Sequence, residues 1–74
     1  MDMRKFKIIL MRGEDDVFTA ECVGLPGCIS QGKTEREALA NIRDAIKGYL
    51  ASLKKHGETV PAIKEFHLAE ISVS

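Results

Sequence analysis

Apolar and polar residues alternate from Arg4 to Arg12, with Phe6, Ile8 and Leu10 on one side and Lys5, Lys7, Ile9 and Met11 on the other. A period of two places successive side chains on opposite faces of a strand. Gly13-Glu14-Asp15-Asp16 is a polar, glycine-bearing connection of the kind that closes a hairpin. Val17 to Val23 is the return strand, with Phe18, Ala20 and Cys22 on one face and Val17, Thr19, Glu21 and Val23 on the other. Phe18/Ala20/Cys22 pair with Phe6/Ile8/Leu10 as the core face. Ile29-Ser30-Gln31 supplies a third, short strand that Gly32 ends. The period then changes. Ala38, Leu39, Ile42, Ala45, Ile46, Tyr49, Leu50 and Leu53 recur at helical spacing and predict a helix from about Glu35 to Lys55. Alternation returns over Phe66 to Val73, with Ala69, Ile71 and Val73 on one face, and predicts a last strand. The order β-β-β-α-β defines a small α+β fold: an antiparallel three-stranded sheet, extended by a C-terminal strand, with one long helix on one face.

Local chemistry sharpens the joints between these elements. Leu25-Pro26-Gly27-Cys28 reads as a type II turn, in which Pro26 presets φ and Gly27 supplies the positive φ of the third position. Thr34 with Glu37 three residues on forms a capping-box sequence at the helix start. Acidic residues in the first turn and Lys54-Lys55-His56 in the last complement the helix dipole. Gly57 suits the position after the C-cap. Gly48 is an interior weak point, about 1 kcal/mol poorer than alanine, and is a place for close approach of another backbone.

One helix covers one face of a sheet. The other face then carries Ile9, Met11, Val17 and Val23, an apolar set that predicts a protein–protein surface there or at an open edge. Size points the same way. A chain of 74 residues is a single domain, and at this length only about 60% of the unfolded surface is buried. Oligomerisation or a partner protein is the expected reinforcement.

Charge narrows the partners. Eleven Lys+Arg balance eleven Asp+Glu, which argues against a free-standing nucleic-acid binder with its basic surplus. The charged N-terminus Met1-Asp2-Met3-Arg4-Lys5 precedes an apolar run broken by Lys7 and Arg12, so neither a signal peptide nor a membrane span is expected. The chain is expected in the cytoplasm, with Cys22 and Cys28 as reduced thiols. Arg4, Lys5, Lys7 and Arg12 make the first strand basic, either as edge guards against unwanted pairing or as contacts for an acidic partner.

Catalytic chemistry is poorly provided for. Two-metal phosphoryl transfer needs converging carboxylates, yet Arg4 to Arg12 holds none, Glu37 is engaged in the cap and Glu70 stands alone. Glu14, Asp15 and Asp16 sit in a turn open to water. Cys22 and Cys28 lack the spacing and histidine partners of a zinc site. Cys22 reads as a small core residue and Cys28 as semi-exposed after its turn. His56 reads as a surface residue at the helix end, His67 as a surface or interface side chain, and Tyr49 as core or interface. No metal site, cofactor or catalytic residue is expected, and no phosphate-cradling glycine loop is present.

Three motifs carry a family resemblance. They are Val17-Phe18-Thr19-Ala20-Glu21; Leu25-Pro26-Gly27-Cys28 with Ser30-x-Gly32-x-Thr34; and Glu37-Ala38-x-x-Asn41-Ile42 leading to Ala45-Ile46. Gly57-Glu58-x-x-Pro61 follows the helix. In this set and spacing the whole chain, residues 1–74, resembles a HicB-like antitoxin domain, with Pro26, Gly27, Gly32, Thr34 and Glu37 as its structural motif. The resemblance implies a truncated ribonuclease-H-like fold and a non-enzymatic role. It implies a partner, a small HicA-type toxin that cleaves mRNA, and self-association to a dimer or higher. Many members carry a C-terminal helix-turn-helix or ribbon-helix-helix domain that binds their operator. This sequence stops at Ser74, so direct DNA binding is not expected of it.

Two functions follow. In the first, the chain occludes the toxin sterically, setting Glu14, Asp15 and Asp16 and the neighbouring Ile9, Met11, Val17 and Val23 against a basic toxin surface. In the second, it is a solitary homo-oligomeric scaffold or regulator whose apolar sheet face is buried between copies.

Overall fold

Three strands and a helix follow one another along the chain: β1 (Ile8–Arg12), β2 (Phe18–Cys22), β3 (Ile29–Gly32) and α1 (Glu35–Lys55). The computed structural model describes residues 4–60 and 62–74. Met1–Met3 of the charged N-terminus and Pro61, the last residue of the exit-loop motif, lie outside the described residues. The strands form one antiparallel sheet in the order β1-β2-β3.

Register follows the alternation. Ile8 faces Cys22 and Leu10 faces Ala20 across β1 and β2, while Ala20 faces Ser30 and Phe18 faces Gly32 across β2 and β3. These positions look towards α1. Ala20, Cys22, Leu25, Cys28, Ala38 and Ile42 form the buried core, with Phe6, Ile8, Leu10, Phe18, Ala45, Ile46, Tyr49 and Val60 packed around it. Phe6 joins the core from a segment preceding β1, so the first strand is shorter than its alternation suggested.

The helix is fixed at both ends by the residues that predicted it. Thr34 is extended (φ −129°, ψ 162°) and its Oγ1 accepts from the Glu37 amide at 3.0 Å. Among the described residues the return bond, from the Thr34 amide to the Glu37 carboxylate, is not formed. At the far end Gly57 takes φ +69°. The Glu58 amide donates to the Leu53 carbonyl at 2.8 Å and the Gly57 amide to that of Lys54 at 3.2 Å. This pair of bonds is a Schellman motif.

Gly32 decides how closely α1 approaches the sheet. A Cβ there would run into the Ala38 amide nitrogen and lie 2.8 Å from the Glu37 carbonyl carbon. The first helical turn therefore rests on the backbone of β3. Gly48 behaves otherwise: among the described residues nothing lies within 4 Å of where a Cβ would be, so it serves no close approach there.

The expected last strand does not form. Residues 62–74 adopt no regular secondary structure and pair with no strand among the described residues. Alternation alone could not fix this segment, because a strand exists only through an edge that accepts its hydrogen bonds. The tail instead passes beneath the sheet. Ile63 lies against Gly24, where an added Cβ would sit 2.7 Å from Ile63 Cγ1. Phe66 and Leu68 reach the Ile9, Val23 and Pro26 region on the face away from α1. Leu68 stays 77% exposed even there, and beyond it Ile71 and Val73 are 86% and 89% exposed.

Candidate functional site: the hairpin turn and the uncovered sheet face

The acidic turn is a built structure. The Gly13 amide donates to the Val17 carbonyl and the Asp16 amide to the Gly13 carbonyl, both at 3.0 Å. Asp15 Oδ1 accepts from the Val17 amide at 3.0 Å, an Asx turn. This lets Asp16 hold a left-handed φ of 62°, a conformation that aspartate tolerates better than most residues. Asp16 Oδ1 pairs with Arg12 Nη2 at 3.0 Å, and the Arg12 guanidinium lies 5.6 Å from the centroid of the Phe18 ring. Both partners of the ion pair are well exposed, so its net stabilisation is small, below about 1 kcal/mol. Among the described residues Glu14 has no side-chain partner.

Thus two of the three carboxylates have local work. Asp15 holds the turn, Asp16 neutralises Arg12, and Glu14 is left to project charge. The Asx arrangement was readable from Asp15 standing two residues before Val17, a signal the charge-based reading passed over.

The uncovered face of the sheet is formed by the other parity. Ile9 faces Glu21 and Met11 faces Thr19, while Thr19 faces Gln31 and Glu21 faces Ile29. Met11 is 47% and Ile29 51% exposed. Ile9 is half-buried, as are Val17 and Val23, which flank β2 at its two ends. Of the residues anticipated for a partner surface, Ile9 and Met11 share this face with Ile29, which the sequence reading had assigned to the third strand only. Ile9 and Val23 line a shallow hollow of about 490 Å³ with Ile63, Phe66 and Leu68. The expected bare apolar face is thus partly roofed by the chain's own tail.

The turn between β2 and β3 is as read from Pro26 and Gly27. The Cys28 amide donates to the Leu25 carbonyl at 3.0 Å, with Gly27 at φ +78°. Leu25 is 2% exposed, so the turn pins a core side chain. Cys28 is buried, contrary to the semi-exposed position expected after a turn: the Cys22 amide donates to its carbonyl at 3.0 Å and draws it under the helix. Both thiols are free. Burial pushes each pKa up, and at Cys22 the neighbouring Cys28 adds to the effect. Neutral, enclosed thiols are poor nucleophiles.

The histidines stay peripheral. His56 Nδ1–H donates to the Ser52 carbonyl at 2.8 Å at the exposed end of α1. His67 lies 3.6 Å from the Glu65 carboxylate on the exposed tail. Among the described residues no three His, Cys, Asp or Glu side chains gather into a metal-holding group, and no helix is long and apolar enough to cross a membrane. The arrangement offers a surface: an acidic, hydrogen-bonded loop beside exposed Met11, on a sheet whose far edge is held to the helix by the Asn41 Nδ2 bond to the Gln31 carbonyl at 2.7 Å.

Comparison with known proteins places this geometry in a family. Residues 6–72 match the model described as the HicB_like antitoxin of bacterial toxin-antitoxin systems. A UPF0150 protein of Thermoplasma acidophilum is 47% identical over 57 residues, covering 77% of this chain and 83% of that protein. A UPF0150 protein of Synechocystis is 39% identical over 56 residues, covering 76% and 71%. Among solved structures, the N-terminal domain of the Burkholderia pseudomallei antitoxin HicB superimposes with a TM-score of 0.71 at 30% identity, covering 82% of this chain and 72% of that one. The chain belongs to the HicB-like antitoxin family.

Proposed function

We propose that this chain is a cytoplasmic, non-enzymatic antitoxin that binds a small HicA-type ribonuclease toxin and blocks its RNA-binding or catalytic surface. The family match over residues 6–72 carries this reading. The hairpin supports it: a protein that cleaves RNA must present positive charge to its substrate, and Glu14, Asp15 and Asp16 offer a hydrogen-bonded negative loop to such a surface. Met11, Ile9 and Ile29 beside it supply apolar area that a charged loop alone lacks. Inhibition is steric, since the enclosed thiols and lone carboxylates supply no catalytic group.

The decisive experiment is capture of the tagged protein from its native lysate with mass spectrometry of what co-purifies. A stoichiometric small basic protein that cleaves RNA, and stops doing so when recombined with this chain, is the expected result. Recovery of the protein alone across several growth conditions overturns the reading. The loop is then mapped with Glu14→Gln, Asp15→Asn and Asp16→Asn together. Asparagine keeps the Asx acceptor and tolerates the left-handed backbone, so charge is removed without opening the turn. Affinity for the toxin is expected to fall about tenfold or more and to lose much of its salt dependence. Unchanged affinity removes the loop from the interface.

A further inference from the structure

The tail and the groove between β1 and α1 are two halves of one interaction. The groove, about 630 Å³, is floored by Phe6, Ile8, Ile42 and Ile46, with Leu39 and Leu50 on the helix side. Its rim carries three cations, Arg4, Arg43 and Lys47. β1 forms one edge of the sheet. The opposite edge is blunted, because Asn41 occupies the Gln31 carbonyl of β3. Among the described residues β1 has no such cover, and its one charged residue, Arg12, is engaged by Asp16 and Phe18. Lys5 and Lys7, read from sequence as possible edge guards, precede the strand.

The tail has the complementary chemistry. Residues 66–73 alternate as a strand, carry Glu70 as their one carboxylate and no lysine or arginine, and leave Leu68, Ile71 and Val73 almost wholly in water. Ile63 against Gly24, and Phe66 and Leu68 against the uncovered face, hold the tail's root on the side of the sheet opposite the groove. The end of the tail is therefore led away from its own groove. The Cα radius of gyration is 14.1 Å with a longest extent of 43 Å, against about 11 Å for a compact chain of this length.

We propose that residues 69–73 of one copy add as a strand to the open β1 edge of a second copy, with Ala69, Ile71 and Val73 in the second copy's β1–α1 groove. Two copies related by a two-fold axis exchange tails reciprocally, which closes the assembly and covers both β1 edges. Main-chain hydrogen bonds supply affinity, and the groove reads alternate side chains. Ile71 and Val73, of one parity, enter the groove beneath the cationic rim of Arg4, Arg43 and Lys47, while Glu70, of the other, faces away from the helix. The same rim disfavours the basic surface of an RNA-cleaving partner, so the groove and the acidic hairpin serve different occupants. The exchange stands independently of toxin binding.

Two measurements test it on the full chain. Light scattering compares the natural protein with Ile71→Asp/Val73→Asp, a change at exposed positions that leaves the far-ultraviolet dichroism unaltered. The natural chain is a dimer or a higher even assembly, and the variant weakens self-association about tenfold or more by removing two buried anchors. Separately, a photo-reactive benzoylphenylalanine replaces Ile71 in a mixture of light and isotopically heavy protein. Light–heavy cross-links from the tail to the Phe6–Leu10 or Leu39–Leu50 segment are expected. A natural chain that stays monomeric, a variant that self-associates as before, or cross-links to the groove only within one chain each overturns the exchange.

Discussion

The body of the molecule, from β1 to the end of α1, and the tail after it were written in similar periodic patterns and came out differently. The body's alternations became strands because each found an edge: Ile8–Arg12 against Phe18–Cys22, and Phe18–Cys22 against Ile29–Gly32. The tail's alternation over Phe66 to Val73 is as regular, yet among the described residues it pairs with nothing. A hairpin brings its own edge within a few residues, and a capped helix satisfies its own backbone, so both are local decisions. A solitary strand depends on a distant edge. The lesson is that period specifies which face a residue takes, and connectivity specifies whether the element exists.

Removing a core anchor should damage the body most. Ile42 is 2% exposed at the centre of the core. Ile42→Ala is expected to cost about 3 kcal/mol in urea unfolding, whereas Ile71→Ala, on the bare tail, should leave the unfolding of the monomer within about 0.5 kcal/mol.

Next comes the joint between β3 and α1. Gly32→Ala sets a Cβ against the backbone of Glu37 and Ala38, which cannot swing aside as a side chain would. A loss of about 2 kcal/mol is expected. Gly27→Ala at the β2–β3 turn meets no atom within 4 Å and carries only the strain of φ +78°, about 1 kcal/mol. Equal losses at the two glycines would mean that helix–strand closeness is not what Gly32 provides.

Thr34→Ala removes the acceptor for the Glu37 amide and should cost about 1 kcal/mol. Thr34→Asp should recover most of it, since aspartate caps as well.

The smallest expected effect is a pH slope. Burial raises the thiol pKa values of Cys22 and Cys28. The unfolded chain therefore ionises its thiols first, so this contribution to stability is intact at neutral pH. It is lost as pH rises above the ordinary thiol value of 9.0. Urea midpoints measured from pH 8 to 10 should fall more steeply for the natural chain than for Cys22→Ala/Cys28→Ala.

Much of this fold was legible for identifiable reasons. The helix limits stood in Thr34 and Gly57, and the core face stood in the parity of Ile8, Leu10, Ala20 and Cys22. The type II turn stood in Pro26-Gly27. Cys28 was misread because a turn was equated with exposure, while the bond from the Cys22 amide to its carbonyl draws it inward. Gly24 gave no local signal at all. Its φ of 92° and its contact with Ile63 depend on where the tail travels, which no window of neighbouring residues contains. For the candidate site, the acidic turn and Ile9 and Met11 were visible in the pattern. The roofing of Ile9 and Val23 by Phe66 and Leu68 was not, because it too is a contact between distant parts of the chain.

That Gly24–Ile63 contact also bears on the order of events when the chain folds. The two hairpin pairings and the seating of α1 on β3 join segments close in sequence, so they close small loops and form early. The tail can seat against Gly24 only after the loop between β2 and β3 exists, and it is synthesised after the segments that form the core. A newly made molecule therefore completes its core while its most apolar exposed segment is still uncommitted. Under the proposed exchange, how soon that segment meets a surface depends on protein concentration, a dependence the core does not share.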